Sequence, residues 1–540
     1  MNILCIDMPF PLGPAFRALG HRTVELSPAG ADADAEQLIQ EAGFTPDLVI
    51  QQERLAERLL VRSLDQIPCP TLFLAVDAHL NLFWQHCYAR LFDAVLSPHL
   101  TLFEALPPDR KPPALLRCAL PGYARPRRPF AERSVNLAFC ARLTPERSVR
   151  LRMTELLRRL YGLETRQNLS LGEMLNFYSD ARMVPNESIA REVNFRLLEA
   201  ASCGALIFAQ DIGPDQDALF TAGKELRVCR DGRELVEEIG FFLRRPDQAE
   251  KTAQAAWERV QREHLPVHRA AEILHFAAGL TRKRAEGDEA RRLLWLSAVQ
   301  LARAGRRARP LSAMLRQGLE LAPHPEIAAA LLCLQVESGR TDAAGALCRE
   351  LAESAVYAES LDCNCAAGIY SLLRGDFAGA RSFLARHLVR LPENIPERRV
   401  RPPESPSEYC RAWAALLRRT GRVARVGFRY RPEAGILPEC AVECLLLADH
   451  LQRDDPETLR QLDGLCADIP AYMDFRRQIL ERRCRQAPEN WRLLLDAGRT
   501  SLAVFRVEEG LAELDAAADA AARAGEARRF ARVCRPKTIA

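Results

Sequence analysis

The sequence predicts an α/β protein of two parallel-sheet domains followed by an all-helical region, and three observations carry that expectation. Short, continuous apolar runs alternate with helical patterns from residue 2 to about 280. Runs of that kind mark strands buried on both faces, as in a parallel sheet covered by helices. The strand signal then stops near residue 285, and the rest reads as helix after helix. Finally, the chain has 540 residues, several times the ~100–200 of one domain, so two or three folding units are expected.

In the first domain, residues 1–128, strands are expected at Ile3–Asp7, Thr23–Ser27, Asp47–Gln52, Thr71–Asp77 and Ala94–Pro98. Helices are expected between them at Pro14–Leu19, Gln37–Gly43, Arg54–Gln66 and Asn81–Leu91, which makes a Rossmann-like unit. The Pro/Arg-rich stretch Pro121–Pro129 (PGYARPRRP) reads as an interdomain linker. The second Rossmann-like domain, 130–280, has strands at Asn136–Cys140, Arg182–Pro185, Ala205–Ala209 and Leu226–Cys229. Its helices are expected at Pro145–Leu160, Val193–Ser202 and from Gly232 to about Gly279. Two such domains place ligand in the cleft between them, near the C-terminal ends of the strands.

In the helical region, 285–540, Gly305, Gly339 and Gly375 recur at intervals of 34 and 36 residues, each between two helical patterns. Pro323 and Pro392 close two of these segments, and Trp491 follows a restart of the pattern. A period near 34 with a turn glycine and small alanines predicts degenerate tetratricopeptide-like hairpins. The stretch Glu397–Tyr430 interrupts the array.

Composition narrows the function. Hydrophobic residues make up 48% and charged residues 27%, which excludes a disordered chain. A net charge of +4 gives no case for a nucleic-acid or membrane-surface binder. Only five of the 75 basic residues are lysine; the arginines are spread throughout and read as genomic base composition. The N-terminus lacks a basic export signal, and no apolar run approaches the ~20 residues of a membrane span. None of the 17 cysteines forms a CxxC pair, so they read as reduced core residues of a cytoplasmic protein.

The most informative stretch is NESIAREVNFRLLEAASCGALIFAQDIGPDQD, residues 186–217. It reads strand, loop, helix, glycine, strand, acidic loop. A helix starting near Val193 offers backbone N–H groups and a positive dipole end to a diphosphate. Glu199, one to two turns in, could accept hydrogen bonds from ribose hydroxyls; the alternative is an amphipathic helix with Glu199 facing water. Asp77-Ala78-His79 ends a predicted strand of the first domain, where Asp77 or His79 could take a proton from an acceptor hydroxyl. A retaining reaction would need no such base. There is no HExxH, paired Asp-x-Asp or His/Cys cluster for a metal, no P-loop and no GxSxG elbow.

Several segments resemble the glycosyltransferase domain of the CgeB/YkvP-like spore-maturation proteins, a family of the GT-B group. They are VNFRLLEAASCGALIF, DALFTAGKELRVCRDGRELVEEIGFFLRRP and EHLPVHRAAEIL, with FCARLTPERSVRLRMTELL and AVDAHLNLFWQHCYARLFDAVLSP upstream. The resemblance covers roughly 70–278 and is strongest from 186 to 278. It implies a GT-B-like fold and transfer of a sugar from a nucleotide-sugar donor, which is a substrate rather than a cofactor. It also implies that Glu199 belongs to the donor site. Arg147 would pair with the donor diphosphate, since guanidinium matches phosphate bidentately. Arg142 has two readings, a phosphate ligand or a solvated loop charge. Arg196 would support the diphosphate or the carboxylate, or form an exposed pair with Glu199. Asn186 and Asn194 either bind ligand or cap.

The chain departs from related enzymes at two points. Eight residues before Glu199, where many carry a second glutamate, stands Arg191, and the nearest acid is Glu192. The glycine-rich turn after the first strand is reduced to Pro11-Leu12-Gly13-Pro14. The leading reading is a metal-independent glycosyltransferase whose region 285–540 holds the acceptor, most plausibly a protein. The runner-up is an inactive glycosyltransferase fold serving as a scaffold, and a nucleotide-sugar epimerase ranks third.

Overall fold

The computed structural model describes residues 1–8, 11–55, 57–305, 321, 324–399 and 401–534. The chain divides into two compact units, each built from two stretches: Met1–Leu120 with Pro266–Thr458, and Pro121–Leu265 with Leu459–Ala540.

The first unit contains β1 (Asn2–Ile6), β2 (Arg22–Leu26), β4 (Leu48–Gln52), β6 (Thr71–Leu74), β7 (Ala94–Ser97) and β8 (Leu115–Arg117). They form one parallel sheet in the order β2-β1-β4-β6-β7-β8. The central strands are buried along their length, as in Leu48-Val49-Ile50 and Leu72-Phe73-Leu74, because helices must cover both faces of such a sheet. Its order reverses between β1 and β4, the switch point where α/β sheets open a crevice at their C-terminal ends. A small second sheet pairs β3 (Asp32–Asp34) with β5 (Leu60–Arg62).

Strand β5 and a 3-10 turn at Leu64–Gln66 occupy the segment where sequence periodicity predicts a helix over 54–66. Tertiary partners claim its polar groups instead. Val61 N donates to Tyr88 Oη at 2.8 Å and Leu59 O accepts from Gln51 at 3.1 Å. The Arg54 guanidinium joins Asp7, Pro28 O and Gly30 O. A helix would have to give up all of these.

In the second unit, β9 (Val135–Cys140), β10 (Glu164–Arg166), β11 (Ala181–Asn186), β12 (Leu206–Gln210) and β13 (Arg227–Cys229) make a parallel sheet in the order β10-β9-β11-β12-β13. The switch point lies between β9 and β11. Helix Leu171–Ser179, absent from the sequence expectation, begins with a capping box of Ser170 and Glu173. The stretch after Leu120 runs along helix Pro246–Glu263, which ties it down through Trp257 Nε1 to Arg125 O (2.9 Å) and Gln261 to Tyr123 O (3.0 Å). A Cβ at Gly122 would meet Val260 Cγ1 at 2.5 Å, so only glycine allows this approach.

Beyond Cys229 no strand occurs among the described residues. Helix pairs turn at Gly339 (φ 69°) and Gly375 (φ 83°), which join Pro325–Glu337 to Thr341–Glu353 and Leu361–Leu373 to Phe377–Arg390. The hairpin expected after Gly305, with Pro323, falls largely outside the described residues. The interrupting stretch around Glu397–Tyr430 contains the helix Pro406–Arg419, capped by Ser405. No helix among the described residues is long and apolar enough to cross a membrane.

Candidate functional site

At the C-terminal ends of β9 and β11, cationic side chains gather on aromatic and carboxylate partners. Arg196, on helix Phe195–Ser202, is buried; its Nη1 donates to Asn186 Oδ1 at 2.9 Å and its Nη2 to Cys140 O at 3.4 Å. These bonds join the last residues of β9 and β11 across the switch point. The guanidinium also lies over the Phe139 ring, 4.3 Å from its centroid, a cation–π contact. Its buried Nε meets no acceptor among the described residues. The sequence alternative of an exposed Arg196–Glu199 pair is therefore corrected: Arg196 turns inward, toward the strand ends.

One turn beyond Arg147, Arg150 is the more deeply placed arginine. It pairs with Glu187 at 2.7 Å, and the two side chains are only 4% and 2% exposed. Burial pushes the Glu187 carboxyl up while Arg150 opposes it, and burial likewise lowers the Arg150 guanidinium. Arg147 ends a 3-10 turn, Pro145–Arg147, just before helix Ser148–Tyr161. It is close enough to disfavour the charge of Arg150, and its side chain pairs with no described residue. Arg142 is exposed, and its carbonyl accepts from Arg150.

Glu199, partly buried in the same helix as Arg196, makes no hydrogen bond or ion pair with a described residue. Burial lifts its carboxyl from the usual 4.5 to about 7, against the opposing pull of Arg196. Neither asparagine caps. Asn186 accepts from Arg196, and Asn194, at the helix start, donates to Glu187 O at 3.1 Å while its buried Oδ1 has no donor. Val193 is buried beside it. Glu192, the acid nearest the expected second glutamate, accepts from Ser188 Oγ (2.9 Å) and Ala190 N (3.0 Å), closing the loop around Arg191 (φ 58°).

The structure thus brings Arg147, Asn186, Val193, Asn194, Arg196 and Glu199 to one sheet end. It adds Arg150 and Glu187, which sequence reasoning missed. The available signal was local: Arg150 lies one turn from Arg147, on the same helical face, and Glu187 follows Asn186 directly.

Asp77 and His79 belong to the first unit. Asp77 precedes helix Ala78–Tyr88, and its N–H donates to Glu53 Oε2 at 2.8 Å. Glu53 is fully buried and also accepts from Asn81 at 2.8 Å. Burial raises its carboxyl to about 7, against Arg58. The His79 ring packs edge-on to that of His99, with centroids 4.9 Å apart. Burial first, and His79 next, hold His99 well below the usual imidazole range. His264, on the second unit, bonds Leu219 O and packs on Phe220.

Comparison with solved structures finds sucrose-phosphate synthase from Thermosynechococcus elongatus at 13% identity, covering 52% of this chain and 98% of that one, with a TM-score of 0.38. A glycosyltransferase from Rickettsia africae is 12% identical over 51% and 97%, with a TM-score of 0.37. Anabaena Alr3699/HepE, in complex with UDP and glucose, is 14% identical over 52% and 100%, with a TM-score of 0.36. No curated protein matches the chain. Residues 139–275 match the family described as glycosyl transferase-like, and that stretch runs from Phe139 at the end of β9 through Arg150, Arg196 and Glu199. Over residues 139–275, which take in most of the second parallel sheet and its helices, the chain is therefore similar to a glycosyl transferase-like domain.

Proposed function

We propose that the protein is a glycosyltransferase of CgeB-like type that binds a nucleotide-sugar donor at the C-terminal ends of β9 and β11. The observation that carries this reading is a pair of buried groups without a hydrogen-bond partner, Arg196 Nε and Asn194 Oδ1, beside the half-buried Glu199 carboxyl. Buried polar groups are normally hydrogen-bonded, so a cluster of exceptions inside a glycosyl transferase-like domain fits a ligand rich in phosphate oxygens and hydroxyls. Arg147, Arg150 and Arg196 would offset the diphosphate charge without a divalent ion. Glu199 would accept from the ribose hydroxyls, with Asn194 and the backbone near Val193 beside the phosphates. Arg142, on the loop after β9, is kept as an outer phosphate contact.

In this reading His79 or Asp77 takes the proton of the acceptor hydroxyl. The helices after residue 285 form tetratricopeptide-like hairpins that hold a polypeptide acceptor. Recurrent ion pairs between residues 34 apart, Arg292–Glu326, Arg303–Glu337 and Arg492–Glu526, support a repeating unit of that length. The cytoplasm is the compartment that fits the reduced cysteines.

The test is calorimetry of the full chain against UDP and other nucleoside diphosphates, followed by assay for donor turnover. Glu199→Ala should weaken nucleotide binding by ~1–3 kcal/mol, the cost of losing one member of a charged hydrogen bond. Equal binding by parent and variant would remove Glu199 from the site. Tight nucleotide binding with no turnover of any donor would favour the inactive scaffold.

A further inference from the structure

Strand β4 of the first unit runs into a carboxylate that reaches the start of the helix bearing Asp77 and His79. The Glu53 N–H extends the β4–β6 ladder by donating to Leu74 O at 2.9 Å, so its main chain is fixed beside β6. Its side chain is wholly buried, and both carboxylate oxygens are taken. Oε2 accepts from Asp77 N and Oε1 from Asn81 Nδ2, each at 2.8 Å. Asn81 also donates to Asp77 O at 3.0 Å. Asp77 occupies the N-cap of helix Ala78–Tyr88, but its own side chain does not cap it. The first turn is therefore anchored by a residue 24 positions away. Asp77 and His79 themselves are only half-buried, so groups that reach solvent ride on a turn whose anchor does not.

The anchor is incompletely neutralised. Arg58 lies 3.6 Å from Oε1 and donates instead to Asn81 Oδ1 at 3.3 Å. From the helix side the Asp77 carboxyl opposes a charge on Glu53, and the neutral Gln85 amide favours it. Burial outweighs Arg58, and Glu53 gives up its proton only at about pH 7. An ionised carboxylate accepts at both oxygens, and such charge-assisted bonds are about twice as strong as neutral ones. Protonation puts a donor among groups that also donate, so the hold on Asp77 N and Asn81 weakens.

We propose that Glu53 is a positioning residue: as a carboxylate it fixes the turn Asp77-Ala78-His79, and taking up a proton loosens that turn. Its consequence for turnover rests on the reading of Asp77 or His79 as the acceptor base, to which it adds control by pH. Above about pH 7 the turn is held for proton acceptance, and below it the turn opens and transfer slows.

The test is hydrogen exchange of the full-length protein, read by mass spectrometry on peptides covering residues 76–84. After correction for the intrinsic pH dependence, protection there should rise roughly fivefold between about pH 6 and 8. Glu53→Gln, a mimic of the protonated group, should keep the low value throughout. Protection in the parent that ignores pH overturns the proposal whether or not the variant folds, and so does a variant that keeps the parent's pH dependence. A panel of UDP-, GDP- and dTDP-sugars supplies the turnover readout. The parent's kcat should rise over the same range, and Glu53→Gln should lower kcat about tenfold near pH 8 with donor KM unchanged. A kcat lowered by Asp77→Asn or His79→Gln but not by Glu53→Gln would overturn the positioning role. Protection that switches with pH but no turnover of any donor, or turnover untouched by Asp77→Asn and His79→Gln, would support the hold of Glu53 and remove only the acceptor-base reading.

Discussion

At Glu199 burial changes how a single side chain holds its proton. Its folded pKa of about 7 lies above the usual 4.5, so the folded protein holds a proton there that the unfolded chain has released. Stability from this group is therefore present at low pH and is lost as pH rises between about 4.5 and 7. In the proposed donor site, ribose hydroxyls would donate best to the ionised carboxylate, so nucleotide binding is expected to pull the same pKa down. Nucleotide affinity measured by calorimetry between about pH 5.5 and 8 should rise with pH, and Glu199→Gln should flatten that dependence. A parent affinity independent of pH over this range would separate Glu199 from the ligand. The sequence singled out Glu199 as a residue one to two turns into the helix of VNFRLLEAASCG, and the structure places it in helix Phe195–Ser202. Arg150 stands one turn from Arg147, but its burial against Glu187, a residue 37 positions away, shows only in the fold.

Among the elements, the turn glycines were the most readable features. Gly375 adopts φ 83° with nothing within 4 Å of where a Cβ would stand. An alanine there would meet only the intrinsic cost of the left-handed conformation, about 1–2 kcal/mol. Gly375→Ala should lower stability by that amount in chemical denaturation without changing the fold or nucleotide binding. A neutral substitution would mean that the turn can re-form with negative φ. The helix expected over 54–66 failed for the opposite reason. Its apolar spacing fits a helix, but Arg54 bonds to Asp7, Pro28 and Gly30, Leu59 to β4 and Val61 to helix Ala78–Tyr88, and those partners decide the local structure. Strand β10 and helix Leu171–Ser179 were also missed, although Ser170 and Glu173 stand at capping-box spacing, a start signal readable from sequence alone.

Across the whole molecule, each α/β domain takes part of the helical region into its own unit. Arg284, just before that region, is fully buried with Asp93, and it also donates to Thr71 Oγ1 and to the carbonyls of Cys69 and Ile67. In the second unit Phe505, from the hairpin Trp491–Ala503 and Val507–Arg523, sits in the core with Phe139, Leu157 and Ile239. Arg152 donates to Asp474 of helix Met473–Gln486 at 2.6 Å and to Val504 O, in the hairpin turn, at 2.9 Å, which fastens both. Removing residues 285–540 should therefore expose a core face and destabilise 1–284, seen as a lower melting temperature and early proteolysis. Breaking the buried pair alone, by Arg284→Ala, should cost about 3–5 kcal/mol because Asp93 is left without its partner. A truncated 1–284, which keeps Arg284 and its partners, as stable as the full chain would show the Phe505, Asp474 and Val504 contacts to be dispensable.

Sequence by itself determined the fold class, since continuous apolar strands alternating with helices can only be satisfied by covered parallel sheets. It also marked the stretch around Glu199 and the turn glycines, because both are set by neighbours a few residues away. Tertiary structure alone decided which arginines are buried, which carboxylates are left without donors, and how the late helices divide between the two units. Those outcomes depend on pairs such as Arg284 with Asp93 and Arg152 with Asp474, separated by 191 and 322 residues. No local pattern encodes a partner at that distance; burial, which makes an unpaired charge costly, selects it only when the whole chain is folded.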